Sequence, residues 1–203
     1  MTRYTNAVKA CPSDETKMLL TAAARAALTA GTIIKELYDQ PHMIRMKGEI
    51  DLVTEADVAA ESAIIASLKE DAGDNIALMA EESYDDTSDP DKGKIWVIDP
   101  LDGTTNFAHS IPIFAVSIAL MENLQPKLGA IYCPMQDELF LACRGGGAWL
   151  NDKEISVTDT EFLIQAVIAT GFPYDIHAHL PRILSQTGSV LPKVRDIRRC
   201  GAA

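Results

Sequence analysis

The chain has 203 residues, of which 47% are hydrophobic, and it carries a formal charge of −11 at pH 7. This length and composition suit one globular domain with a buried core and exclude a disordered protein. The negative charge argues against direct nucleic-acid binding, because a polyanion would be repelled. An anionic small substrate remains compatible if divalent cations, held by some of the acids, supply positive charge.

The four cysteines form no C-x-x-C pair, so neither a zinc knuckle nor a redox motif is indicated. We expect free thiols, three of them in or beside the core, in a reducing cytoplasm; the four are Cys11, Cys133, Cys143 and Cys200. No signal-peptide pattern is present, and Arg25 and Lys35 interrupt the longest apolar segment, residues 18–37. We therefore predict a core helix there and no membrane span.

Two helices are predicted in the first third of the chain. Apolar residues at helical spacing predict a helix over residues 14–38, started by Pro12-Ser13 and stopped by Gln40-Pro41. Residues 43–53 are predicted to be extended. The run Thr54-Glu55-Ala56-Asp57 then resembles a capping box and predicts a second amphipathic helix.

Short apolar runs dominate the remainder and predict strands. They lie at residues 76–79, 95–98, 113–121, 127–132, 138–142, 166–170 and 194–197. An acidic loop is expected over residues 81–91, a glycine turn at 145–147 and a helix over 177–186. Two helices, then strands, then mixed elements, with no repeat or linker, indicate a single α/β domain over residues 1–203, built as an α+β layered sandwich.

Six acids stand out by position, and each has a simple local explanation. Asp57 could simply cap its helix. Glu81 and Glu82 could start a solvated loop, and Asp99 and Asp102 could form turns. The sixth, Asp51, precedes the second helix.

Considered together, the acids favour a site over separate local roles. Glu81 and Asp99 each follow a short apolar strand, so both carboxylates would emerge at one edge of the sheet if those strands are neighbours. Pro100 places Asp102 nearby, and the carbonyl of Leu101 adds another oxygen. Oxygen donors without His or Cys suit Mg²⁺ or Mn²⁺ and are poor for zinc. An EF-hand is excluded, because the twelfth position counted from Asp99 is Ser110.

The residues after Asp102 suit an anion. Gly103 allows close backbone approach, and a short helix opening at Gly103-Thr104-Thr105 would aim N–H groups at a phosphate. The Thr104 hydroxyl, together with Glu81, could hold a water molecule whose pKa is lowered by a cation.

At this point the sequence resembles a known family. The run WVIDPLDGTTNF, residues 96–107, resembles the signature D-P-[IL]-D-G-T-T-N-F of the inositol monophosphatase family, which are magnesium-dependent, lithium-sensitive phosphatases. Further ordered matches are Lys47 with DLVTEAD at 51–57, AEES at 80–83, FAVSIAL at 114–120 and IRRCGAA at 197–203. The resemblance implies the sugar-phosphatase type of layered α/β fold, Mg²⁺ as cofactor, a phosphomonoester substrate and a homodimer.

The resemblance also implies a metal-ligand set. Glu81, Asp99 and the Leu101 carbonyl correspond to ligands of a first metal. Asp99 and Asp102 would share a second metal, and Asp57 would reach a third metal, largely through water.

Catalytic and substrate roles follow from the same resemblance. Thr104 with Glu81 would activate the attacking water, and Asp102 would also meet a substrate hydroxyl. Phosphate would be held at Gly103, Thr104 and Thr105. The resemblance thus implies Glu81, Thr104 and Asp57 as the catalytic residues.

The family pattern continues past IRRCGAA to a further aspartate ligand of the second metal. We therefore expect this chain to lack the C-terminal portion of the fold and to have weak or no activity. We also expect it to expose an apolar sheet face at residues 194–197, with aggregation, dimerisation or marginal stability as the result. The residues Thr104-Thr105-Asn106 favour an inositol-phosphate or general sugar-phosphate substrate over the nucleotide-sulfate branch of the family, and the choice among inositol phosphate, fructose bisphosphate and histidinol phosphate stays open. The alternative is a catalytically impaired protein that binds a partner or regulates RNA processing, as the resemblance to some bacterial members implies.

Overall fold

The computed structural model describes residues 3–40, 45–46, 52–82, 93–173 and 175–202. The helices of these ranges are α1 (Thr5–Lys9), α2 (Asp14–Tyr38), α3 (Glu55–Ala72), α4 (Thr104–Ala108) and α5 (Ile176–Val190). The strands are β1 (Arg45–Met46), β2 (Leu52–Val53), β3 (Ala77–Ala80), β4 (Lys94–Asp102), β5 (Ala115–Glu122), β6 (Gln125–Cys133), β7 (Glu138–Cys143), β8 (Gly147–Leu150), β9 (Lys153–Ile155), β10 (Val167–Ala169) and β11 (Asp196–Arg198).

A seven-stranded sheet forms the centre of the fold, with strand order β3-β4-β5-β6-β7-β8-β9. Only the β3–β4 pair is parallel; every later neighbour is antiparallel, as in a meander. A second, two-stranded sheet pairs β10 with β11 in parallel, and α5 lies between these strands in sequence. This layered α/β architecture confirms the predicted fold class.

Helices α2 and α3 pack against each other and against the central sheet. Helix α2 begins after Ser13, whose side chain accepts a hydrogen bond from the Thr16 N–H, and its bounds agree with the prediction. Many of its buried residues are alanines, which let the helix backbone approach its neighbours closely. By length and composition α2 could cross a membrane, but it contributes Leu19, Leu20 and Ile34, all at most 1% exposed, to the core. The predicted role of a core helix is confirmed.

Several element bounds differ from the predictions. The strand predicted at 95–98 continues to residue 102, and the helix predicted at 177–186 extends to Val190. The strand predicted at 194–197 is shifted to Asp196–Arg198, because residues 191–193 form a 3₁₀ turn. Strand β9 and helix α1 were not predicted: both are too short to show a period. The extended segment at 43–53 and the acidic loop lie mostly outside the described residues.

The region around β10, α5 and β11 exposes much apolar surface. No residue of α5 is buried. Large apolar side chains remain accessible there, including Phe162, Leu163, Ile164, Phe172 and Leu184. The expected apolar exposure therefore lies on these segments and not on residues 194–197, where Val194 is only 6% exposed and Ile197 is half-buried.

Candidate active site

Two acids are brought together by the parallel pairing of β3 and β4. Ala80 is in register with Ile98, so Glu81 and Asp99 follow directly at the same end of adjacent strands. The backbone N–H of Glu81 donates to the Ile98 carbonyl at 3.2 Å, which continues the ladder by one residue. The predicted neighbourhood of these carboxylates is confirmed.

Asp102 reaches the same place through an irregularity in β4. The pairing of β4 with β5 shifts register between Asp99 and Asp102, and Asp102 pairs with Ala115 after the shift. The backbone N–H of Leu101 donates to Asp99 Oδ1 at 3.1 Å, which fixes that carboxylate. The Leu101 side chain is 1% exposed and anchors the turn in the core.

One cavity of about 430 Å³ collects nearly all of the predicted site residues. The predicted residues that line it are Glu81, Asp99, Leu101, Asp102, Gly103, Thr104 and Thr105. Asp57 is the one member of the predicted set that is not among its lining residues.

Asp57 lies behind Thr104 and is 2% exposed. Its Oδ2 accepts hydrogen bonds from the Thr54 N–H at 2.8 Å and the Thr54 hydroxyl at 2.6 Å, which confirms the predicted capping box. Its Oδ1 lies 3.1 Å from the Thr104 hydroxyl, and that hydroxyl can instead donate to the Leu101 carbonyl, also at 3.1 Å. Asp57 therefore serves both as a helix cap and as a support for a residue that lines the cavity.

Burial and crowding shape the electrostatics of the site. Burial, followed by the charges of Glu81 and Asp102, raises the pKa of Asp99 to about 8. Burial also raises the pKa of Asp57 above its ordinary value, and the hydrogen bonds from Thr54 and Thr104 oppose that shift. The acids thus repel one another in a place where a cation would relieve the repulsion.

The donors suit Mg²⁺ by chemistry, since they are carboxylate and carbonyl oxygens. Within the described ranges, however, no group of three or more His, Cys, Asp or Glu side chains is already arranged to hold a metal ion. The carboxylates of Glu81, Asp99 and Asp102 nevertheless line one cavity, and the charges of Glu81 and Asp102 help to raise the pKa of Asp99.

Gly103 and Asn106 connect this site to the last described residues. Gly103 has φ +101°, and a Cβ at this position would lie only 3.1 Å from the Ile113 carbonyl oxygen and 3.2 Å from the Gly201 carbonyl oxygen. Asn106 is 6% exposed and donates from Nδ2 to the carbonyls of Ile113 at 2.7 Å and Cys200 at 2.9 Å. The asparagine of the signature therefore holds residues 200–202 against the turn at Gly103.

Part of the cavity wall was not predicted from the sequence. The additional lining residues are Thr170, Gly171, Phe172, Arg199, Gly201 and Ala202. The first three follow β10 and the last three follow β11. The motif IRRCGAA contains the last three, so it could have indicated that they belong to the site. Arg199 is the only basic residue among the described lining residues, so it is the positive group available to an anion.

Three residues singled out from the sequence either do not line the cavity or lie outside the described residues. Lys47 and Asp51 lie outside the described residues. Glu82 does not line the cavity, and its backbone N–H donates a hydrogen bond to Oε2 of Glu61 at 2.8 Å. Glu61, on α3, is only 4% exposed and was not predicted to matter.

Comparison with known proteins agrees with this geometry. The "Nus factor SuhB" of Salmonella typhimurium is 37% identical over 187 residues, covering 91% of this chain and 69% of that protein. The "Inositol-1-monophosphatase" of Mesorhizobium japonicum is also 37% identical over 187 residues, covering 91% of this chain and 70% of that protein.

Solved structures extend the likeness to three dimensions. The structure of the extragenic suppressor protein suhB from Bartonella henselae is 38% identical with a TM-score of 0.84, covering 90% of this chain and 70% of that one. The inositol monophosphatase from Anabaena sp. PCC 7120 is 35% identical with a TM-score of 0.78, covering 90% and 66% respectively. Residues 15–203 match the inositol monophosphatase family, and the chain therefore belongs to that family.

Proposed function

We propose that this protein is a Mg²⁺-dependent phosphomonoesterase that hydrolyses inositol monophosphate or a related sugar phosphate. The observation that supports it most is the shared cavity, in which three carboxylates face a glycine-threonine turn. Its volume, about 430 Å³, suits a small phosphorylated sugar. Family membership supports the same reaction class.

The oxygen donors that would hold Mg²⁺ are the carboxylates of Glu81, Asp99 and Asp102 and the carbonyl of Leu101. When bound, the cation would neutralise phosphate charge and lower the pKa of a coordinated water. Asp99 would be the central ligand, because the charges of both other carboxylates act on it and the Leu101 N–H already orients it.

Thr104 and Asp57 would handle the proton of the attacking water. With its hydrogen directed to Asp57 Oδ1, the Thr104 hydroxyl oxygen is left to accept a hydrogen bond from water in the cavity. Asp57 is shielded from solvent and fixed by Thr54, so it keeps the Thr104 hydroxyl in this orientation. Glu81, at the end of the neighbouring strand β3, would accept the other hydrogen bond of that water.

The phosphate would lie against the turn at Gly103-Thr104-Thr105. Gly103 has no side chain to obstruct it, and Arg199 supplies positive charge from another part of the wall. Phe172 and Thr170 would contact the remainder of the substrate. We further infer a cytoplasmic, lithium-sensitive homodimer, on the resemblance of the signature to the family.

The test is hydrolysis of a panel of inositol and sugar phosphates with Mg²⁺, with and without Li⁺. We expect Mg²⁺-dependent release of phosphate that Asp99→Asn abolishes. The absence of hydrolysis of every substrate, both by this chain and by a longer chain that includes any downstream coding sequence, would contradict the proposal.

A second candidate is a non-catalytic binding role. It is favoured by the relatives named "Nus factor SuhB", which are as similar to this chain as the named phosphatases are. Binding of a protein partner that persists in Asp99→Asn, in the absence of measurable hydrolysis by the unmodified chain, would support this candidate over the enzyme.

A further inference from the structure

Two cysteines far apart in sequence meet inside the protein. Cys11 Sγ and Cys143 Sγ lie 2.9 Å apart, although 132 positions separate them. A disulfide bond measures ~2.04 Å, so the two sulfur atoms are about 0.9 Å beyond bonding distance. Both side chains are buried, at 4% and 6% exposure.

The surrounding chain is shaped for this close approach. Gly146 follows β7 in the turn, and a Cβ there would lie 2.3 Å from Cys143 Sγ and 2.9 Å from the Ala10 carbonyl oxygen. Any side chain at this position would therefore push the segment of residues 10–11 away from β7. The glycine turn between β7 and β8 thus lets the two sulfurs meet.

The N-terminal segment that carries Cys11 is held by polar contacts at its other end. Helix α1 contacts α2, β8 and β9. The Asp152 carboxylate accepts hydrogen bonds from the N–H groups of Asn6 at 2.6 Å and Ala7 at 3.1 Å. Arg3 forms an ion pair with Asp137 at 2.5 Å. Cys11 is therefore presented to Cys143 by a docked segment, and it lies outside the residues 15–203 that match the family.

We propose that Cys11 and Cys143 are a covalent modification site, at which a glutathione-type disulfide oxidises the pair to an intramolecular disulfide. One cysteine thiolate attacks the small disulfide, forms a mixed disulfide and releases one thiolate. The second cysteine sulfur then attacks the first and releases the other thiolate. In total two cysteine thiols and one small disulfide give one protein disulfide and two small thiols, so atoms and electrons balance.

The bond would link the N-terminal segment to β7 and close a large loop of the chain. Because a disulfide restricts the unfolded chain more as the loop grows, the oxidised protein should be markedly more resistant to unfolding. Burial and the neighbouring Cys143 raise the pKa of Cys11 to about 12, so the native thiol pair should react slowly. Oxidation should be faster during refolding, when both sulfurs are accessible.

The experiment uses the full chain with Cys133→Ser and Cys200→Ser, which leaves only the proposed pair. The protein is refolded with equimolar reduced and oxidised glutathione, and peptides are mapped by mass spectrometry without reduction. We expect a linked peptide pair containing Cys11 and Cys143, a loss of two hydrogen atoms, and a melting temperature roughly 5–15 °C above that of the reduced protein.

The unsubstituted chain, mapped in the same way, serves as the control for the background substitutions. Recovery of both cysteines as free thiols, as mixed disulfides with glutathione or only in intermolecular links would overturn the proposal. So would equal melting temperatures of the linked and reduced forms.

Discussion

Glu61→Ala should weaken both the fold and the proposed metal site. The Glu61 carboxylate is 4% exposed, and its Oε2 accepts a hydrogen bond from the N–H of Glu82 at 2.8 Å. Glu82 follows Glu81, so this bond fixes the backbone on one side of a predicted metal ligand. On the other side, the Glu81 N–H is fixed by the Ile98 carbonyl. Loss of Glu61 would leave only one of these two restraints.

The magnitude follows from the type of bond that is lost. A hydrogen bond to a charged group contributes about 1.5–3 kcal/mol, and for a chain of this size that corresponds to a decrease in melting temperature of about 4–10 °C. Residues that orient metal ligands typically change metal affinity by 10-fold or more, so we expect a loss of ~10-fold in Mn²⁺ affinity. Glu61→Gln retains an acceptor oxygen and should lose much less of both.

The assay is thermal unfolding followed by circular dichroism in EDTA, together with calorimetric titration of Mn²⁺. Glu70→Ala is the matched control, since Glu70 is exposed on the same helix. If Glu61→Ala unfolds within about 1 °C of Glu70→Ala and binds Mn²⁺ equally well, the assigned positioning role of Glu61 is wrong.

Three further outcomes follow from the site. Without metal, the free energy of unfolding should fall as pH rises between about 4 and about 8, because folded Asp99, with a pKa near 8, retains a proton that the unfolded chain releases. Urea titrations at several pH values should show that the free energy of unfolding of Asp99→Asn depends less on pH, and an unchanged pH dependence would contradict this. Asn106→Leu leaves the carbonyls of Ile113 and Cys200 without their donor and should lower the free energy of unfolding, measured in urea, by about 2–4 kcal/mol. A decrease below about 0.5 kcal/mol would show that these two hydrogen bonds do not hold the C-terminal residues in place. Thr104→Val should lower kcat for phosphate release by about 100-fold or more, while the exposed Thr158→Val should not change it; equal rates for the two variants would exclude Thr104 from proton handling.

Sequence patterns predicted those features that depend on residues close together in the chain. Ser13 and the alanine-rich periodicity predicted the bounds of α2, and the spacing of Thr54 and Asp57 predicted the capping box. The two apolar runs that end in Glu81 and Asp99 predicted neighbouring strands, since acids directly after buried strands are informative. The roles of these acids as metal ligands stay predictions.

Contacts between distant segments could not be predicted in this way. The bond from Asn106 to the Cys200 carbonyl spans 94 positions, and nothing near either residue indicates it. The same holds for Thr170 and Phe172, which enter the cavity wall only because β10 lies beside β11. Strand β9 was missed because all three of its residues are exposed, so it has no alternation of apolar and polar side chains.

The register of β3 against β4 also determines which changes in chain length the site can tolerate. Glu81 and Asp99 are neighbours because Ala80 pairs with Ile98, and this pairing does not depend on how many residues connect the two strands. An insertion in the connection would leave both carboxylates in place. A single residue inserted within β3 would instead rotate Glu81 to the opposite face of the sheet and separate it from Asp99. Among homologues, length variation should therefore be common between these strands and absent within them.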